Sequence, residues 1–308
     1  MIRYYHHSGV RIASALELPE WKPFRDFADH CASERADVTI ALSARPLAST
    51  GMPDGTAVAQ QGHIRFDVDD VGRWLVSEGQ RIVIDPITIE NGPELRLFTL
   101  GTAWAVLGYQ RGWLMCHGSV VVPAGATKAV LLIGASGQGK STSAAALVAA
   151  GGTLLADDLC RVEIRAGGSA VVHPSARYLK LWGGAVEALG WEDRIVARDH
   201  FRADKFLCVL PLDVTTIAEP LPVGAVVVLD WGEALSLQPL RGSDAVTAVL
   251  PAACYRPQVL DALSAWPQQT KAWLTLLEHT PVYRLQRPKE FMQIPEATYL
   301  LSQLPALS

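Results

Sequence analysis

The chain lacks a strong charge of either sign. Lys and Arg number 27 against 31 Asp and Glu, for a formal net charge of -4. That balance gives no global case for nucleic acid or an anionic membrane as a partner. No two cysteines stand at C-x-x-C spacing, and the five present (Cys31, Cys116, Cys160, Cys208 and Cys254) lie far apart. Reduced, mostly buried thiols are the simplest reading of an odd, scattered set. No uninterrupted apolar run reaches membrane-spanning length, and Met1 to His7 lack the apolar core of a secretory signal. The expected location is therefore the cytoplasm. Repeats and low-complexity tracts are missing too. His6-His7 reads as a solvated pair rather than a metal site, because no carboxylate or thiol stands near it in sequence.

What is present is a chain able to build a core. Of 308 residues, 49% are apolar and 19% charged, which suits one large domain or two modest ones and excludes disorder. The strongest signal is Gly134-Ala135-Ser136-Gly137-Gln138-Gly139-Lys140-Ser141-Thr142. It matches the phosphate-binding (Walker A) pattern G-x-x-x-x-G-K-[ST] without a mismatch. The apolar run Ala129 to Ile133 precedes it and the alanine-rich stretch Ser141 to Ala150 follows. That is the strand, loop and helix the motif requires. Gly134, Gly137 and Gly139 can adopt backbone angles closed to other residues, which admits a close-lying anion. The loop amides and the helix N-terminus point partial positive charge at phosphate oxygens. Lys140 is placed to reach the terminal phosphates of a nucleotide, and the Ser141 hydroxyl to ligate Mg²⁺.

The pattern of elements divides the chain into a mostly β N-terminal region, 1–93, and a remainder, 94–308, that carries the glycine motif. Val38 to Leu42, His63 to Val68, Trp74 to Val76 and Arg81 to Ile84 read as strands, with a hairpin turn at Glu78-Gly79-Gln80. Leu95 to about Gly112 has helical spacing. A strand is expected from His117 to Val122. Another is expected to end at Asp157-Asp158, followed by separate β runs at Arg161 to Ile164 and Ala170 to His173. Leu181 to Leu189 reads as a helix stopped by Gly190. Ala225 to Leu229 is a buried-strand candidate. Val259 to Glu278 reads as helix broken near Pro267. Val282 to Leu285 reads as a last strand before a closing helix.

Asp157 and Asp158 follow the glycine loop closely. One carboxylate there can hold Mg²⁺ and a second can accept a proton from an attacking hydroxyl. Adjacent carboxylates also repel each other, which favours a cation nearby. His117 gains interest because its strand adjoins the loop strand in sequence.

Cys116-His117-Gly118-Ser119, the loop 134–141 and Leu155-Ala156-Asp157-Asp158, in this order and spacing, resemble the catalytic domain of bacterial HPr kinase/phosphorylases. The close resemblance covers about 45 residues, His117 to Arg161. The remaining length and Leu179-Lys180-Leu181-Trp182 are more similar to the HPr-kinase-like enzymes of peptide-tailoring systems, including lasso-peptide kinases. The resemblance implies an α/β fold, with a P-loop core of HPr-kinase type and a parallel-rich sheet. It implies ATP and Mg²⁺ as cofactors, with Gly134, Ser136, Gly137, Gln138, Gly139, Lys140, Ser141 and Thr142 around the nucleotide. Lys140 would bind the β- and γ-phosphates and Ser141 would ligate the metal. Asp157 would be the base for an acceptor serine, oriented by His117, and Asp158 would support the metal. Two departures stand out. The family's Glu-Ile-Arg-Gly signature is missing, and Lys180 of Lys180-Leu181-Trp182-Gly183 occupies the place of its metal-binding glutamate. The N-terminal region has no similarity to the regulatory domain of HPr kinases, which points away from HPr as acceptor.

The expected activity is phosphoryl transfer from ATP to a serine of a peptide or protein. A small-molecule kinase and a nucleotide-binding regulatory module without transfer remain open alternatives, as does homo-oligomerisation. Downstream, Arg177 is the best candidate for a second phosphate contact. Lys180 and Lys205 read first as surface charges.

Overall fold

Alternation of apolar and polar residues sets the first sheet. In the computed structural model, which describes residues 1–25, 36–60, 62–87, 89–175, 178–199, 202–210 and 219–307, the chain groups into two compact units. One comprises 1–115 with 255–269, the other 116–254 with 270–308. Arg177 and Cys31 fall outside the described residues.

The first unit holds β1 (Arg3–His7), β2 (Val10–Ser14), β3 (Val38–Leu42), β4 (Val58–Gln60), β5 (His63–Val68), β6 (Gly72–Ser77) and β7 (Arg81–Pro86). They form one sheet in the order β1-β2-β3-β7-β6-β5-β4. Glu78 and Gly79 both take positive φ in the β6–β7 turn, the geometry that matches strand twist in a two-residue hairpin. Helix α1 (Pro93–Phe98), a π-helical turn (Thr99–Ala103) and α2 (Trp104–Gln110) form one continuous helical stretch. Trp74 Nε1 donates to Thr99 Oγ1 at 3.0 Å, which ties that stretch to the sheet. His7 is not solvated: it is 4% exposed and stacks on Trp21 with centroids 4.1 Å apart. As part of β1 its ring faces the core, where the aromatic cluster offers more than water does.

The second unit is built on β8 (Leu114–Val122) from Cys116 onward, β9 (Ala129–Ile133), β10 (Thr153–Ile164), β11 (Ala170–His173), β12 (Tyr178–Trp182), β13 (Ile195–Arg198), β14 (Lys205–Val209), β15 (Leu221–Trp231), β16 (Ser236–Leu240) and β17 (Val282–Arg287). Its main sheet runs β11-β10-β8-β9-β15-β17-β16, and β12-β14-β13 form a small separate sheet. The sheet is mixed rather than parallel-rich. β15 is parallel to β9 and to β17, while β8 is antiparallel to β9 and β16 to β17. Every residue of β9 is buried, as suits a strand covered on both faces. Against it packs α3 (Lys140–Ala149), whose run of alanines lets helix and sheet approach closely. Val130, Leu132, Ala144, Leu147, Val227 and Leu285 share that core. α4 (Gly183–Leu189), ended by Gly190 at φ 64, adds Ala185 and Val186 to the same core, and a closing helix at Ile294–Ser302 adds Ala297 and Leu301; α5 (Gly242–Ala253) follows β16. Residues 181 and 182, read as helix from sequence, belong to β12 instead.

β10 corrects a second reading. Asp157-Asp158 do not end a strand: β10 continues through Arg161 to Ile164. Asp158 takes φ 71 within it, a left-handed backbone that breaks the regular pleat as bulges do. Among the described residues, no helix is long and apolar enough to cross a membrane.

Candidate functional site

The loop 134–139 leaves β9 at its C-terminal end and enters α3, so the first amides of α3, which have no intrahelical partner, open onto it. Gly139 sits at φ 82 immediately before the helix. The backbone angle favours glycine, and a Cβ there would meet the Arg287 guanidinium, which would have to move. Ser136 and Gly137 are exposed at the crown of the loop, and Gln138 N donates to Ala135 O at 3.2 Å. Lys140, 7% exposed, donates its ammonium protons to Gly134 O at 2.8 Å and Ala135 O at 3.1 Å. Burial lowers its pKa, and Asp157 and Asp158 work against that shift. Thr142 is buried in the first helical turn.

Asp157 faces this loop from β10. Its Oδ1 accepts from Ser119 Oγ at 2.5 Å and from Ser141 Oγ at 3.0 Å. Its Oδ2 accepts from Ser141 Oγ at 3.2 Å and, at 3.4 Å, from Lys180 N. Burial pushes its carboxyl above the ordinary range, and the neighbouring Asp158 charge adds to that; the Ser119 and Ser141 hydroxyls oppose it without prevailing. A carboxylate made more basic in this way suits proton acceptance.

Asp158 has the opposite electrostatics. Burial works to raise its pKa, but the Lys180 ammonium, the neighbouring His117 and the charges of Lys205 and Lys140 together bring it below the ordinary value. Its side chain is 41% exposed, and its Oδ2 lies 3.7 Å from Lys180 Nζ. His117 Nδ1 lies 2.9 Å from Asp158 O and 3.4 Å from Asp158 Oδ1. A carbonyl only accepts, so the hydrogen belongs on Nδ1 in that bond, an assignment made from the partner. Burial, with Lys140 adding to it, lowers the His117 pKa, so the imidazole is neutral at pH 7.

The structure thus brings Lys140, Ser141, Asp157, Asp158 and His117 together. It also draws in Lys180 and Lys205, which do not stand as isolated surface charges. Pairing of β12 with β14 sets Trp182 opposite Lys205, and burial lowers the Lys205 pKa while Asp158 opposes it. Three residues were given no role from the sequence. Ser119 had a signal, since it lies two residues from His117 on β8 and so shares its face. Arg287 and Trp231 had none, because their approach depends on the strand order.

Ser141 Oγ and the Asp157 carboxylate form a side-by-side pair of hard oxygen donors. That is the donor chemistry Mg²⁺ takes from protein when phosphates and water complete its shell. Among the described residues, no group of three or more His, Cys, Asp and Glu is arranged to hold a metal by itself.

No family model matches the sequence, and no curated protein matches it. Among solved structures, the chain is similar to the Hpr(Ser) kinase/phosphatase from Coxiella burnetii, with 14% identity and a TM-score of 0.32. The match covers 61% of this chain and 93% of that one. At that level of likeness, the functional reading rests on the site itself.

Proposed function

We propose that the protein is an ATP-dependent phosphotransferase acting on a serine hydroxyl of a peptide or protein, with a lasso-type precursor peptide as one candidate. The observation that carries this reading is the 3.0 Å bond from Ser141, in the first turn after the glycine loop, to Asp157. It joins an anion cradle to a carboxylate of raised basicity, and in-line transfer needs both.

In this reading Gly134, Ser136, Gly137, Gln138, Gly139 and Thr142 line the nucleotide site through backbone and hydroxyl groups, and Lys140 neutralises terminal phosphate charge. Mg²⁺ would be held by Ser141 with Asp158 or Asp157, and when bound it supplies charge neutralisation at the phosphate oxygens. Asp157 takes the proton from the acceptor Oγ. That oxygen then forms the new bond to the γ-phosphorus, and ADP departs with the electrons of the broken P–O bond. His117, neutral and hydrogen-bonded to Asp158 O, fixes the backbone beside the base.

A second allocation of the acids is favoured by one contact. Ser141 bonds Asp157 and not Asp158, which assigns Asp157 to the metal and the more exposed Asp158 to the acceptor. Incubation with ATP, Mg²⁺ and serine peptides, read by mass spectrometry, tests both. The first allocation expects Asp157→Asn to abolish transfer while sparing most ATP binding, with Asp158→Asn raising the Mg²⁺ requirement. The second expects the two variants to exchange these phenotypes. Parental transfer by both variants would overturn the reading, and ATP binding without any product would favour a regulatory module.

A further inference from the structure

Arg287 is the last residue of β17. It is 4% exposed, yet among the described residues no carboxylate lies within ion-pair distance of it. Among the described residues its side chain makes one hydrogen bond, a long one from Nη1 to Pro288 O at 3.5 Å. The guanidinium has five N–H donors, so most of its capacity is unused by protein. Burial alone lowers its pKa. Its remaining nitrogens are not among the buried unpaired atoms, so they open to solvent, where an anion can reach them and form charge-assisted hydrogen bonds.

Its position indicates which anion. In the parallel ladder of β15 and β17, Trp231 is paired with Arg287, and the guanidinium lies over the indole at 4.5 Å from its centroid. The stacking fixes the plane of the fork, at little further loss of freedom. That fork rests against Gly139, with Nη2 the nearest atom to the position of a Cβ. Gly139 is the last loop residue before α3, where helix amides point outward. β9, β15 and β17 run parallel, so their C-terminal ends deliver the glycine loop, Trp231 and Arg287 to one edge of the sheet, the usual position of ligands in such sheets.

We propose that Arg287, held flat by Trp231, is a second cationic ligand for the phosphates of the nucleotide bound by loop 134–139. The inference rests on the nucleotide-binding part of the reading above and adds a phosphate contact outside the glycine motif. Lys140 then meets the phosphate chain from within the motif and Arg287 from the neighbouring strand. Planar, bidentate recognition explains an arginine where a lysine would supply charge alone.

The test is affinity of the full-length chain for ATP, ADP and AMP, with Mg²⁺, in the parent, Arg287→Met and Arg287→Lys. Arg287→Met is expected to weaken ATP and ADP about tenfold or more, as for loss of a charge-assisted pair, with AMP affected least. Arg287→Lys is expected to recover part of the loss. Unfolding of the ligand-free variants is followed in parallel, and Arg287→Lys carries the test if the methionine variant does not fold. Unchanged ATP affinity in a folded variant would overturn the proposal and leave Arg287 as a packing residue. Equal weakening of ATP and AMP would also overturn it, by moving the contact to the ribose or base. A parent that binds none of the three would sink the nucleotide reading itself, an outcome separate from either.

Discussion

Two neighbouring carboxylates on β10 differ because their surroundings differ. Asp157 is enclosed and accepts from neutral hydroxyls, so burial keeps its pKa raised. Asp158 has cations around it, so its pKa is lowered. If Asp157 is the base, it must be ionised to act. The kcat/KM of transfer should then rise with pH along a limb above the ordinary carboxylate range of about 4. A limb at the ordinary value would contradict the assignment. His117 gives a stability signature of its own. Its folded pKa lies below the ordinary value, so protons favour the unfolded chain. The stability it contributes is complete above the unfolded pKa of about 6.5. It is lost as pH falls from there through the folded value. His117→Gln should flatten urea stability across that window. His173 has a lowered pKa for the same reason of burial, so some slope should persist. An unchanged slope in the variant would show that His117 is not the group responsible.

At the scale of elements, the loop and the strands on either side of it act together. Gly139 carries two constraints, a φ of 82 and the Arg287 guanidinium in the place of a Cβ. Gly139→Ala should cost about 1–3 kcal/mol in denaturant unfolding and weaken ATP binding by displacing either the loop or Arg287. Parental stability and affinity would refute this. Much at this scale was legible in the chain. The apolar runs of β9 and β15 and the alanines of α3 predict their elements because burial on both faces demands unbroken apolar sequence. β1 was not legible, since Tyr4, Tyr5, His6 and His7 disguise a period of two in amphipathic side chains. β10 was misread because Asp157-Asp158 interrupts that period. A left-handed Asp158 lets the strand continue past them. The β runs at Arg161 to Ile164 and Ala170 to His173 were legible, and they pair antiparallel across a turn in which Gly167 and Gly168 both take positive φ.

For the whole molecule, the nucleotide reading predicts linkage. ATP with Mg²⁺ should raise the thermal midpoint in proportion to RT ln(1 + [L]/Kd), about 2.7 kcal/mol at a hundredfold excess over Kd. Removing Mg²⁺ with a chelator should reduce the shift. Lys140→Ala should remove most of it. A midpoint indifferent to ATP at millimolar concentration would oppose the whole assignment. The pattern of elements divides the chain at 93/94, whereas the compact units take 94–115 with the first sheet and add 255–269 to it. A contiguous reading has no means of joining segments so far apart in the chain.

The amino-acid sequence by itself determined the glycine loop, its lysine and hydroxyl, and the candidacy of Asp157, Asp158 and His117. These lie within about 45 residues, and local spacing carries their chemistry. Only the tertiary structure decided that Ser141 pairs with Asp157, that Lys180 and Lys205 gather near Asp158, and that Arg287 stacks on Trp231 above Gly139. Each of those depends on the order and direction of strands in the sheets. Strand order follows from packing between segments distant in sequence, and no local periodicity encodes it.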